Sequence, residues 1–210
     1  MQDVMQQTWN DENELLLQQW GERSSVLRIL HTDTSLKYTK YSTCVTIPTI
    51  VLSTVAGSIQ LRVNSCESEG GYIDVILACM NLFIAIIAGV GSILRFKEKA
   101  EAHKASASSF GNFYRQVSCE LAFPRTERDN PSELLRSMKR HYDALLETSP
   151  DIPRCIVTNF KKTRVKLNPS LSLPDICNGL DPIKICKSNT YGGEDDIIVD
   201  VQQQEVVLSQ

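Results

Sequence analysis

Residues 41–61 and 75–94 carry no charged side chain, whereas the sequence on either side of them is dense with charge. Each run is about the ~20 residues that a helix needs to cross a ~30 Å hydrocarbon layer. The second is the purer, dominated by Val75, Ile76, Leu77, Leu82, Phe83, Ile84, Ile86 and Ile87. At roughly −0.3 to −0.6 kcal/mol per strongly apolar residue it inserts unaided. The first is diluted by Thr43, Thr46, Thr49, Ser53, Thr54 and Ser58, whose hydroxyls can bond back to their own helix, and Pro48 removes a backbone donor. A kink is expected there, near the membrane boundary. The pattern predicts two spanning helices joined by a short polar loop, residues 62–74, with its turn at Gly70-Gly71. The competing reading is a buried hairpin in a soluble helical domain, but soluble core helices seldom run this long without a charge.

On the N-terminal side, residues 1–10 are polar and expected to fray. From Asp11 the apolar residues Leu15, Leu16, Leu17, Trp20, Val26, Leu27 and Leu30 fall largely on one side. Gly21 and Ser24-Ser25 interrupt them, so one broken helix or two short ones are expected before Lys37 and Lys40, with Trp20 as a packing residue. On the C-terminal side no proline occurs between Val75 and Phe123, and the stretch EKAEAHKASAS is a good helix former. The second spanning helix is therefore expected to continue unbroken out of the bilayer. Its apolar positions narrow to Phe110, Phe113, Tyr114, Val117 and Leu121, a stripe that needs a partner. Asn130-Pro131-Ser132-Glu133 reads as an N-cap and helix start. The helix that follows, about 131–148, carries Leu134, Leu135, Met138, Tyr142, Leu145 and Leu146 on one face and is expected to cover the stripe as an antiparallel pair. SPDIP (149–153) breaks the chain, and Pro153 can start a third short helix bearing Ile156, Val157 and Phe160 and ending in KKTRVK.

From Leu167 prolines and glycines predict an irregular tail, in which only 197–201 and 205–208 look like strands able to add to a partner's sheet edge. The fold class is thus an all-α membrane protein: an N-terminal cytoplasmic helical segment (1–40), a transmembrane hairpin (41–94), a cytoplasmic helical bundle (95–166) and an extended or disordered acidic tail (167–210).

Mean hydropathy, −0.17, and formal charge, −3, both hide segregation. Residues 95–166 hold 15 Lys/Arg against 9 Asp/Glu, and residues 167–210 hold 2 against 7. Positive charge gathers at both outer flanks of the hairpin and not in its loop, which places both termini on the cytoplasmic side. Lys37, Lys40, Arg95, Lys97 and Lys99 are candidates for contact with anionic lipid headgroups, although an ordinary solvated surface would look the same. No cleavable signal peptide is expected, because the polar, acidic start lacks a basic region and an apolar core. Seven cysteines without a CxxC, beside only three histidines, give no zinc framework and no disulfide scaffold. Most are expected to be free thiols in a reducing compartment, with Cys66 alone in the translocated loop.

Along the first span Thr46, Thr49, Ser53 and Gly57 share a helical face, as do Asn81, Ala85, Ala88 or Gly89, and Ser92 along the second. Small residues four apart let membrane helices approach, so packing within the hairpin is the simpler expectation. In an oligomer the same rows could line a narrow water path, with Asn81 the costliest polar group. The spans contain no Asp, Glu, Lys or Arg, which argues against a proton relay. No paired carboxylates, GxSxG, HExxH or P-loop occur, and GVGSIL (89–94) lies inside a span, so neither an enzyme nor a cofactor is expected. The basic run at 161–166 lacks interleaved aromatics, so nucleic acid is not an expected partner.

Three stretches, HTDTSLKYTKYSTCVTIPTIVLSTVAG (31–57), SSFGNFYRQVSCELAFPRTER (108–128) and SPDIP (149–153), resemble the SLATT family of two-transmembrane proteins associated with nucleotide-signalling and immunity systems, with versions in large DNA viruses and algae. The resemblance covers about residues 12–165 and contains no catalytic signature. It implies a cytoplasmic helical bundle, homo-oligomerisation in the membrane and pore formation as an effector output. The loop 62–74 and the tail after Leu167 lie outside it. A different expectation is a structural membrane anchor, for example between a virion's internal membrane and its protein shell, with the tail contacting structural protein partners.

Overall fold

The computed structural model describes residues 8–65, 71–165 and 172–178, which are helical wherever they are regular. One helix, α1 (Asp11–Ser65), runs for 55 residues. It is followed by α2 (Gly71–Leu94), α3 (Phe96–Ala122), α4 (Pro131–Thr148), α5 (Arg154–Phe160) with a π-helical turn at Lys161–Val165, and α6 (Asp175–Asn178). The expected strands at 197–201 and 205–208, Cys66 and most of the tail lie outside the described residues.

A single antiparallel pairing organises these elements. Gly21 lies against Val117, Gly111 against Arg28 and Gly91 against Val45, while the Ser35 hydroxyl donates to the Ala100 carbonyl at 2.9 Å. α1 therefore runs the length of α3 and then of α2. In the charged half Leu17, Val26, Leu27 and Leu30 of α1 meet Phe110, Phe113 and Val117 of α3, and all of them are buried. Complete burial of Phe110 and Phe113 stabilises the pair by roughly 1.5–3 kcal/mol each.

The Asn130 side chain caps α4 by accepting from the Ser132 N–H at 3.1 Å, with Pro131 in the first helical turn. Leu134, Met138 and Tyr142 of α4 and Val157 and Phe160 of α5 close the core from the side.

Five expectations change. Gly21 and Ser24 do not interrupt α1. A Cβ at Gly21 would come within 2.9 Å of Val117 Cγ1, and buried Ser24 returns its hydroxyl to the Trp20 carbonyl at 2.8 Å, so both are small for close helix approach. The α2–α3 helix is not continuous: Arg95 adopts a left-handed conformation, φ 49° and ψ 41°, and separates the two. The stripe of α3 is covered chiefly by α1, and α4 reaches it through Tyr142, whose ring centroid lies 5.5 Å from that of Phe113. Residues before Asp11 are not all frayed, since Trp9 is buried, donates from its indole N–H to the Asp129 carbonyl at 3.0 Å and lies under the Arg128 guanidinium. The tail is not wholly extended, because Cys177 of α6 is buried in the main core. Trp20 packs as expected, stacked on Tyr142 at 6.5 Å.

Candidate functional site: the apolar hairpin and its base

Beyond Tyr41 the pairing changes character. The seam between α1 and α2 is formed by Val45, Thr49, Leu52 and Ala56 facing Leu77, Met80, Ile84, Ile87 and Gly91. Those positions alternate by three and four residues, the spacing of a narrow coiled-coil seam. Everything around it is bare. Only 6 % of the most apolar stretch of each helix is buried, although both are long and apolar enough to cross a membrane. Ile47, Ile50, Val55, Leu82, Phe83 and Ile86 are exposed. The α1 hydroxyls satisfy themselves locally, Thr49 donating to the Val45 carbonyl at 2.7 Å and Ser53 to that of Thr49 at 2.8 Å. α1 remains helical through Pro48.

Of the residues singled out as pore-lining or packing candidates, Thr49 alone is half-buried in the seam. Thr46, Ser53, Gly57, Asn81, Ala85, Gly89 and Ser92 are exposed, and a Cβ at Gly57 or Gly89 would meet nothing within 4 Å. Thr46, Thr49 and Ser92 come together on one side of the hairpin, in a groove of about 430 Å³ that Ser42, Arg95 and Lys97 also line. By helical spacing Ser53 and Gly57 continue the α1 row along that side, and Ala85 and Asn81 the α2 row.

The basic residues cluster at the base of the hairpin, because the register that sets Ser35 beside Ala100 also sets residues 37–40 beside 95–99. Lys37 donates to the Cys155 Sγ at 2.8 Å and lies 5.7 Å from the Tyr41 ring centroid. Lys40 lines a second groove with Lys37 and Asp33, Lys99 lies over Tyr38 at 5.9 Å, and Arg95 pairs with Glu98 at 3.2 Å. The Lys37 ammonium holds the Cys155 thiol below its usual pKa, and the same contact raises that of Lys37.

Two features of this base were missed from sequence. Tyr38, Tyr41 and Phe96 form an aromatic collar, Tyr41 and Phe96 being 5.7 Å apart, and tyrosines beside lysines at the edge of an apolar run could have announced it. One layer deeper, His31 and His103 meet Nδ1 to Nδ1 at 2.9 Å, buried between α1 and α3. No sequence motif marks that pair, whose members are 72 residues apart. Among the described residues no three of His, Cys, Asp and Glu converge on a metal position.

The arrangement offers lipid or a second copy an apolar surface with one polar side, above a basic, aromatic base. No protein-family model, curated protein or solved structure was found to match this chain.

Proposed function

We propose that the chain is an integral membrane protein whose α1–α2 hairpin spans the bilayer, with the α1–α3–α4–α5 bundle and both termini on the cytoplasmic side. The observation that carries this reading is the near-complete exposure of two charge-free helical surfaces. A core helix of a soluble protein of this apolarity would be mostly buried. The position of the basic and aromatic residues at one end of the hairpin supports the orientation, since cations and tyrosines favour the headgroup region of the cytoplasmic leaflet. In this reading Arg95, Lys97, Lys99, Lys37 and Lys40 contact anionic headgroups.

The functional form is a homo-oligomer of the SLATT kind that opens a pore or perturbs the membrane. Its support is the exposed row Thr46, Ser53, Gly57, Asn81, Ala85 and Ser92. A carboxamide such as Asn81 facing hydrocarbon alone is unfavourable, and small residues permit close approach of another copy. The test is purification in detergent, reconstitution into liposomes containing anionic lipid, and measurement of flotation, oligomer mass and dye release. Flotation with a defined oligomer and leakage is expected. Flotation without leakage favours the structural anchor, and a protein that stays dissolved without detergent overturns the membrane reading.

A further inference from the structure

We propose that the His31–His103 pair is an acid-released latch that holds α1 to α3 just beneath the hairpin. The geometry allows the rings only certain protonation states. At an Nδ1–Nδ1 distance of 2.9 Å one nitrogen must donate and the other accept, which two neutral imidazoles, or one neutral and one charged, can do. With both rings charged, two N–H donors point at each other and the contact becomes repulsive.

Water does not relieve that repulsion, because both side chains are almost fully buried. Among the described residues no carboxylate hydrogen-bonds or ion-pairs with either ring, and the two carboxylates that line the cavity beside His31, Asp151 and Asp175, are exposed to solvent. Tyr38 of α1 stacks on His103 at 5.7 Å and Phe110 of α3 on His31 at 5.5 Å. The cavity of about 220 Å³ that His31 lines also holds Arg23 of α1, Tyr142 of α4, Asp151 of the turn before α5 and Asp175 of α6. Asp175 already lies 3.9 Å from the Arg23 guanidinium, and Lys99 nearby is itself a cation over Tyr38. Burial, together with the neighbouring His103, lowers the His31 pKa to about 4, and burial lowers that of His103.

Acid therefore drives α1 from α3 at this layer, ~15 Å along α1 from the first residue of the apolar run. Transmission of that opening to the membrane rests on the membrane reading; the latch itself does not.

The test uses the full chain in detergent micelles, or in plain buffer should it prove soluble, so that failure of the membrane reading leaves the measurement intact. Amide exchange by mass spectrometry, corrected for the intrinsic effect of pH, is followed from pH 7.5 to 4 over residues 24–38 and 97–110. A rise of roughly a hundredfold in both segments is expected by pH 4, the ratio set by a histidine pKa of about 4 in the closed state and 6.5 in the open one. The rise should vanish in His31→Phe/His103→Phe, which keeps aromatic packing without a titrating group. Should that variant not fold, histidine NMR of the native chain serves: ring titrations of His31 and His103 concurrent with the exchange rise support the latch. Titration of both rings without increased exchange, or a rise that persists in the double variant, overturns it.

Discussion

Gly21 of α1 packs directly against Val117 of α3, so that a Cβ on the glycine would lie 2.9 Å from Val117 Cγ1 and 3.4 Å from its Cβ. A β-branched side chain cannot rotate out of the way cheaply. Two effects compete in Gly21→Ala: a gain of about 0.8–1 kcal/mol in helix propensity and an overpacking penalty of about 1–3 kcal/mol. The penalty should win by about 1 kcal/mol. In a Val117→Ala background the same change should become stabilising, because only propensity remains. Denaturant titration of the four proteins of this cycle checks the reversal.

The start of α1 is tied to the α3–α4 connection by Glu14, which accepts from Arg125 at 2.7 and 2.8 Å and also from Arg128. Hydrogen bonding to Arg125, then to Arg128, holds the Glu14 carboxyl at about 2 against an ordinary 4.5. A carboxylate with a depressed folded-state pKa contributes stability that is fully present above 4.5 and is lost as pH falls through about 2. Glu14 is partly exposed, so solvent reduces the effect to about 1 kcal/mol. Glu14→Gln should destabilise the fold by that amount at pH 7, and the difference should shrink steadily as pH falls from 4.5 towards 2, as read from paired unfolding curves.

The contact between Lys37 and Cys155 should be visible as thiol reactivity. Cys155 is exposed, and its lowered pKa raises the thiolate fraction at neutral pH. Lys37→Gln should slow iodoacetamide labelling of Cys155 roughly several-fold, with the exposed Cys119 labelled at an unchanged rate in the same sample. Peptide mass spectrometry over time distinguishes the two thiols.

What could be read from sequence divides along physical lines. Asn130-Pro131 and SPDIP act through local chemistry, capping, fixed φ and a missing donor, so α4 and its termination were legible. The break at Arg95 was not, because a left-handed arginine uses neither glycine nor proline to announce itself. Gly21 was misread because a glycine that ends a helix and one that admits a neighbour look alike in one dimension. The charge-free runs were plain, but the polar rows beside them could not be assigned to seam or surface until the register between α1 and α2 was known. The same register brings His31 to His103, and no spacing in a single chain encodes that meeting.

Ile86 provides the sharpest test of the environment of the hairpin. It lies near the middle of the charge-free run in α2 and is exposed, with the seam carried by its neighbours Ile84 and Ile87. On a water-facing surface, Ile86→Arg removes no packing and should change stability by less than about 0.5 kcal/mol. In hydrocarbon the same arginine is unfavourable by about 2.5–3.5 kcal/mol near the centre of a spanning helix. The membrane reading therefore predicts that Ile86→Arg sharply lowers the fraction of protein recovered with vesicles after flotation. Lys97→Arg, at the base of the hairpin, should leave that fraction unchanged. Equal flotation of the native chain and Ile86→Arg would mean that this face of α2 does not meet lipid, and the exposed apolar surface would then have to be covered by protein.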